Sequence, residues 1–180
     1  MKATGMIRKI DDLGRIVIPK EIRKTLKIRE GDMLEIYVEK NGEVILKRYA
    51  PFGDMLDRIT IFAEVISKNT GCNVIVTDTK KVIACNGGIA NKYLEKEISE
   101  ELLIKIEERT LYGIKEKSSV SIVEKEEKNK NVKQLISPII VEGNAVGSII
   151  YFTNDEKKQF TDGDIKLVQI ATNYITNEME

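Results

Sequence analysis

The stretch RKIDDLGRIVIPKEIRKTL, residues 8–26, decides how this chain reads. It crowds Arg8, Lys9, Arg15, Lys20, Arg23 and Lys24 into one hydrophobically patterned segment of a protein whose formal net charge is zero. Asp11-Asp12-Leu13-Gly14 has turn chemistry, because an Asp carboxylate bonds amides further along and Gly accepts a left-handed backbone. On either side of it, residues 4–10 and 15–18 are predicted strands. Pro19 stops sheet pairing, and its fixed φ suits the first turn of a helix. Residues 20–26 then make about two helical turns. With Ile22 at zero, Leu26 falls at about 40°, while Arg23, Lys27, Lys20 and Lys24 spread over an arc from about 100° to 200°. No acid shares that arc.

Beyond the helix, Glu30-Gly31-Asp32 turns the chain. Residues 33–39 alternate Leu34, Ile36 and Val38 with Glu35, Tyr37 and Glu39, the period of a half-buried strand. Asn41-Gly42 is a hairpin signal and leads into a strand over 43–49. The first fifty residues read ββαββ. Fifty residues bury little surface, and with neither metal nor disulfide to help them they are expected to oligomerise.

Pro51-Phe52-Gly53 reads as a linker, which sets the predicted domains at 1–50 and 54–180, with 51–53 between them. Asp54 is the expected cap of a helix over 55–69, whose Leu56, Ile59, Phe62, Ala63 and Ile66 recur at helical spacing and which Gly71 ends. Residues 73–78 and 82–86 read as a hairpin pair, broken by Gly87-Gly88. Ser99 opens a second helix reaching about residue 109. A strand over 119–123 and a solvated charged tip, EKEEKNK at 124–130, follow. Residues 132–141 and 145–152 form a long hairpin around Glu142-Gly143-Asn144. Thr161-Asp162 opens a final helix with Ile165, Val168, Ala171, Thr172 and Ile175 on one side. The order αββαβββα predicts an α+β domain, an antiparallel sheet with flanking helices.

Charge is unevenly spread. Residues 1–50 hold 12 basic and 8 acidic side chains, net +4, and residues 1–29 hold 9 and 3, net +6. The remaining residues, 17 basic against 21 acidic, balance this with −4. Such asymmetry points to an anionic partner for the N-terminal part. No apolar run approaches the ~18 residues of a membrane span, and MKATGMIRKIDD lacks an export signal's apolar core, so a cytoplasmic location is expected. There is no histidine, which removes imidazole bases and most zinc sites. Cys72 and Cys85 read as idle thiols in a reducing compartment. They flank one hairpin, where a shared side leaves open a redox switch or a thiol-dependent enzyme, although no basic cluster stands beside either.

Thr4-Gly5, Arg8-Lys9, Asp12-Leu13-Gly14-Arg15, Ile16-Val17-Ile18-Pro19, Leu26, Gly31-Asp32 and Leu34-Glu35-Ile36 resemble the DNA-binding half of the AbrB family of transition-state regulators. The resemblance implies a swapped-hairpin β-barrel, interleaved from two chains, with double-stranded DNA as partner. Carried over by position, it implies DNA contacts at Arg8, Arg15 and Arg23, a phosphate contact at Lys9, and a further contact at Lys24, where the family commonly has arginine. Related barrels also occur in antitoxins, but about 130 patterned residues follow here in place of a short toxin-binding tail. The two-part layout resembles sporulation regulators that join such a barrel to a GAF-like domain. That implies a transcriptional regulator rather than an enzyme, with no cofactor and a homotetramer assembled through surplus helix surface. The GAF-like part would serve assembly or hold an unidentified small ligand under residues 86–118, where Tyr93 and Tyr112 are candidate pocket residues or core.

Overall fold

The structure is a computed structural model and describes residues 5–26, 28, 30, 34–48, 52–114, 119–126 and 132–179, apart from the side chains of Arg48 and Asp54. Contacts divide the chain into two compact units, residues 1–50 and residues 51–180.

In the first unit, α1 (Lys20–Thr25) follows Pro19, and a hairpin pairs β1 (Leu34–Val38) with β2 (Val44–Arg48). The hairpin register sets Val38 opposite Val44 and Ile36 opposite Leu46. Gly42 turns it with a φ of 83°. The expected strands over 4–10 and 15–18 do not form within the described residues: only the turn between them closes, and its arms carry no ladder. A strand exists through a ladder of its partner's backbone groups, and among the described residues no such ladder forms along these arms. Leu26 lies just past α1 and is 57% exposed, while Ile22 on the same side of the helix is half-buried. The expected features at Thr4, Lys27, Gly31-Asp32, Met33, Tyr49 and Pro51 lie outside the described residues.

The second unit opens with a 3₁₀ turn, Gly53–Met55, that runs into α2 (Leu56–Thr70). Met55 rather than Asp54 stands at the cap position, without a side-chain cap bond. Gly71 ends α2 in the left-handed region, as expected. Then come β3 (Asn73–Asp78), β4 (Val82–Cys85), a 3₁₀ turn at Gly87–Ile89, α3 (Ala90–Tyr93), α4 (Glu100–Glu107), β5 (Lys133–Val141), β6 (Asn144–Thr153) and α5 (Asp162–Met179). The sheet order is β4-β3-β6-β5, all antiparallel. Pro138 is tolerated because β5 is an edge strand. Along the outer side of that edge, Tyr112 exchanges two backbone bonds with Ile136.

Alternation along the strands fills two layers. Ile75, Ile136, Ile150 and Phe152 point to the face covered by α4, where Leu102, Ile106, Tyr112 and Ile122 join them. The other face packs on α2 and α5, which bury Ile59, Ala63, Ile66, Val168, Ala171 and Ile175. The two helices meet through the Phe62 and Tyr174 rings, 5.1 Å apart, and an Arg58–Glu178 ion pair of 2.6 Å. Ser99 caps α4 as expected, its Oγ accepting from the Leu102 amide at 3.0 Å.

The expected strand at 119–123 is absent as a ladder element. Its backbone is served by side chains instead: Val120 exchanges two bonds with the Gln134 amide group (3.0 and 2.9 Å), the Ser121 amide donates to Glu101 and the Ile122 amide to Glu126. Among the described residues, a bridge from Ile98 to Val123 is its sheet-like pairing.

Candidate nucleic-acid interface

Asp11 to Arg15 builds the tip of the basic segment. The Asp11 amide donates to the Arg15 carbonyl at 3.1 Å, and the Gly14 amide to the Asp11 carbonyl at 3.0 Å. Gly14 supplies a φ of 75°, the left-handed residue that a three-residue hairpin loop requires. Asp11 Oδ1 accepts from the Leu13 amide (3.0 Å) and the Arg15 amide (2.7 Å), while Oδ2 accepts from Arg15 Nε at 2.8 Å. The bond from the Arg15 amide, followed by that from its side chain, holds the Asp11 carboxyl below the usual carboxylate range. The amide-bonding role expected of Asp11 is present. Its hold on the Arg15 guanidinium was not foreseen.

Arg8 and Lys9 ride on the arm that enters this turn, Arg15 leaves it, and Arg23 and Lys24 stand side by side on α1, about 100° apart. All five side chains are exposed. Among the described residues, no hydrogen bond joins Arg8 or Lys9 to Arg15 or to the helix pair. Apolar residues share this exposure: Ile7 is 89%, Val38 75% and Val17 71% accessible, and no described residue between 5 and 48 is buried.

In the second unit the most developed polar cluster lies under α3. Tyr93 Oη donates to Glu126 Oε1 at 2.7 Å, and Lys92 Nζ reaches both that hydroxyl (2.7 Å) and that oxygen (3.0 Å). Burial works against the Glu126 carboxylate, but the bonds from Tyr93, Lys92 and the Ile122 amide outweigh it and hold its pKa down. Burial, first, pushes the Tyr93 phenol up to about 12. Lys92, Tyr93, Glu126 and Gln134 line a cavity of about 80 Å³ together with Ser119 and Asn154. Small-molecule sites are usually several times larger, and the charged groups here already satisfy one another. Tyr93 is therefore a bonded core residue, and Tyr112 is buried behind the sheet edge. Glu126 is the correction to the solvated tip: the charge run hid a residue that folds inward. Gln134, a polar residue inside the apolar run of β5, was the signal that sequence offered and that went unread.

Both cysteines are buried and free. Cys85 pairs across from Ile75 and belongs to the α4-side core. Cys72 has the opposite parity and interacts with Tyr151 and Lys158 behind the other face. The anticipated shared side is thus corrected, and a Cys72–Cys85 bond would have to cross the sheet. One basic side chain, Lys158, stands beside Cys72, and interaction with that thiol is the first cause raising the lysine's pKa.

Comparison with known proteins places this arrangement. The family model "Stage V sporulation protein T C-terminal, transcription factor" matches residues 56–180. The chain belongs to the stage V sporulation protein T family. Stage V sporulation protein T of Bacillus subtilis (strain 168) is 39% identical over 182 residues, covering 100% of this chain and 99% of the relative. The transition state regulatory protein AbrB of the same strain is 59% identical over 51 residues, 28% of this chain and 52% of that protein. A second model, "Antidote-toxin recognition MazE, bacterial antitoxin", matches residues 7–54. The GAF domain of the nutrient sensor CodY from Clostridium difficile superposes with a TM-score of 0.53 at 14% identity, over 67% of this chain and 83% of that one, which shows a GAF-like fold. The family is one of transcription regulators with an AbrB-type N-terminal domain.

Proposed function

We infer that this chain binds double-stranded DNA through residues 1–50 and regulates sporulation genes from the cytoplasm. Two chains interleave their N-terminal units into a swapped-hairpin barrel, and Arg8, Lys9, Arg15, Arg23 and Lys24 meet the DNA on one of its surfaces. The observation that carries this reading is the coincidence, in one unit, of exposed cations with exposed, strand-patterned apolar residues. Ile7, Val17, Ile36 and Val38 are all exposed, and so many exposed large apolar side chains in one small unit support association. A second chain supplies ladder partners and doubles the cationic surface. Counterion release then provides most of the affinity, with arginine forks adding base-edge contacts.

The C-terminal unit serves assembly into a tetramer rather than ligand capture. The outward sides of α2 and α5 keep Ile61, Val65, Ile170 and Tyr174 exposed, whereas the polar cavity is small and internally satisfied.

Fluorescence anisotropy with duplex DNA across a salt series tests the reading. Log affinity is expected to fall against log salt with a slope of about −0.9 per phosphate neutralised. Arg15→Ala is expected to weaken binding by roughly 1–3 kcal/mol if it reads a base. Sedimentation should give a tetramer. Absence of salt-dependent binding by a folded oligomer overturns the proposal.

A further inference from the structure

Asp11 is an acid at the centre of a basic surface, and electrostatics alone would count it as a defect. Its bonding says otherwise. Oδ1 holds the Leu13 and Arg15 amides, which fixes the turn, while Oδ2 holds Arg15 Nε at 2.8 Å, which fixes the side chain. Arginine donates through five N–H groups in a rigid plane. Engaging Nε from behind leaves the Nη1/Nη2 end of the fork facing outward, on a side chain that is itself 70% exposed. That end is the edge able to grip two acceptors at once.

We propose that Asp11 is a positioning residue for DNA recognition, orienting the Arg15 guanidinium so that its terminal edge is presented to a phosphate or to the acceptor edge of a base. The proposal rests on the DNA-binding reading above. A long arginine side chain otherwise loses rotamer freedom when it is immobilised on a partner. Asp11 brings part of that ordering forward into the free protein, at the expense of one unit of negative charge near the DNA. The neighbouring Asp12 takes no part in these bonds and serves as the control for that charge.

The experiment is duplex-DNA anisotropy at fixed salt with the full chain, comparing Asp11→Asn, Asp12→Asn, Arg15→Ala and the Asp11→Asn/Arg15→Ala double variant. Asn at position 11 keeps an oxygen for the two amides and removes the charged grip on Nε. Simple charge removal tightens binding for both single Asn variants. Positioning predicts the opposite sign for Asp11→Asn, roughly threefold to tenfold weaker, with Asp12→Asn equal to or tighter than the unaltered protein. In the Arg15→Ala background the loss from Asp11→Asn should vanish. The Arg15 Nε–H signal in a ¹⁵N spectrum, expected to shift in Asp11→Asn and not in Asp12→Asn, reads the contact without DNA and reports whether the variant is folded. Asp11→Asn binding as tightly as the unaltered protein, or an unchanged weakening in the Arg15→Ala background, overturns the positioning role alone. No binding by the unaltered protein overturns the DNA-binding reading and this role together.

Discussion

The two units of this chain solve the same problem in opposite ways. Residues 52–175 contain every buried residue that the structure describes: a four-stranded sheet with a helix layer on each face, its polar atoms paired and none of its described buried side-chain polar groups unsatisfied. The described residues between 5 and 48 have comparable strand-forming sequence, and none of them is more than half-buried. Hydrophobic alternation specifies which residues want cover, but not whether the cover comes from the same chain. On the proposed reading, residues 1–50 take that cover from a second chain.

The largest expected effect lies in the self-contained unit. A Cβ at Gly147 would stand 1.9 Å from the Thr77 carbonyl oxygen, where β6 runs beside β3, and backbone cannot yield as a flexible side chain can. Gly147→Ala should cost about 4 kcal/mol, read as a lowered urea midpoint for the C-terminal unit. A loss under about 1 kcal/mol would mean that the sheet is far more pliable than its packing implies.

The next prediction is aimed at the contrast itself. If Ile7 remained as exposed as it is in the single chain, Ile7→Asp would fall within about 0.5 kcal/mol of neutral. An interleaved barrel buries it, so the substitution should cost about 2–3 kcal/mol and make unfolding more dependent on protein concentration. A neutral result would break the comparison, because the N-terminal unit would then be complete alone.

How far the sequence discloses the molecule follows the same division. Apolar runs marked β3, β5 and β6, and helical periodicity marked α2 and α5, to within a residue or two, because each is buried against its own domain. The 119–126 segment escaped, since its partners are the side chains of Glu101, Glu126 and Gln134, joined by tertiary bonds that leave no local period. In the basic segment the turn was legible from Asp11 and Gly14. The grip of Asp11 on Arg15 was not, because an acid and a base four residues apart meet only once the three-residue loop has formed.

Glu126→Gln sharpens the picture of the second unit. The residue is largely buried and accepts from Tyr93, Lys92 and the Ile122 amide, so the substitution should cost about 1–2 kcal/mol at pH 7. Its folded-state pKa is depressed, so its stabilisation is present above the ordinary carboxylate range and fades as pH falls through the folded value. Unfolding curves of the two proteins should converge in acid. A constant gap would mean that the charge contributes nothing.

The smallest effect tests whether that cluster is structural cement or a site kept available for a ligand. Tyr93→Phe removes one hydroxyl bonded to Glu126 and Lys92 and leaves the ring on Phe152, 5.9 Å away. The loss at neutral pH should be about 1 kcal/mol. The phenol's pKa is raised to about 12, so its contribution is fully present below the unfolded value and is lost as pH climbs through the folded one. The unaltered protein should therefore lose more stability on alkaline titration than Tyr93→Phe does. Groups that hold one another this firmly are expected to make the C-terminal unit a rigid platform for assembly. Tyr93→Phe with full stability and an unaltered alkaline limb would show the hydroxyl uncommitted, and would return the cavity to consideration as a place where a small polar ligand is read.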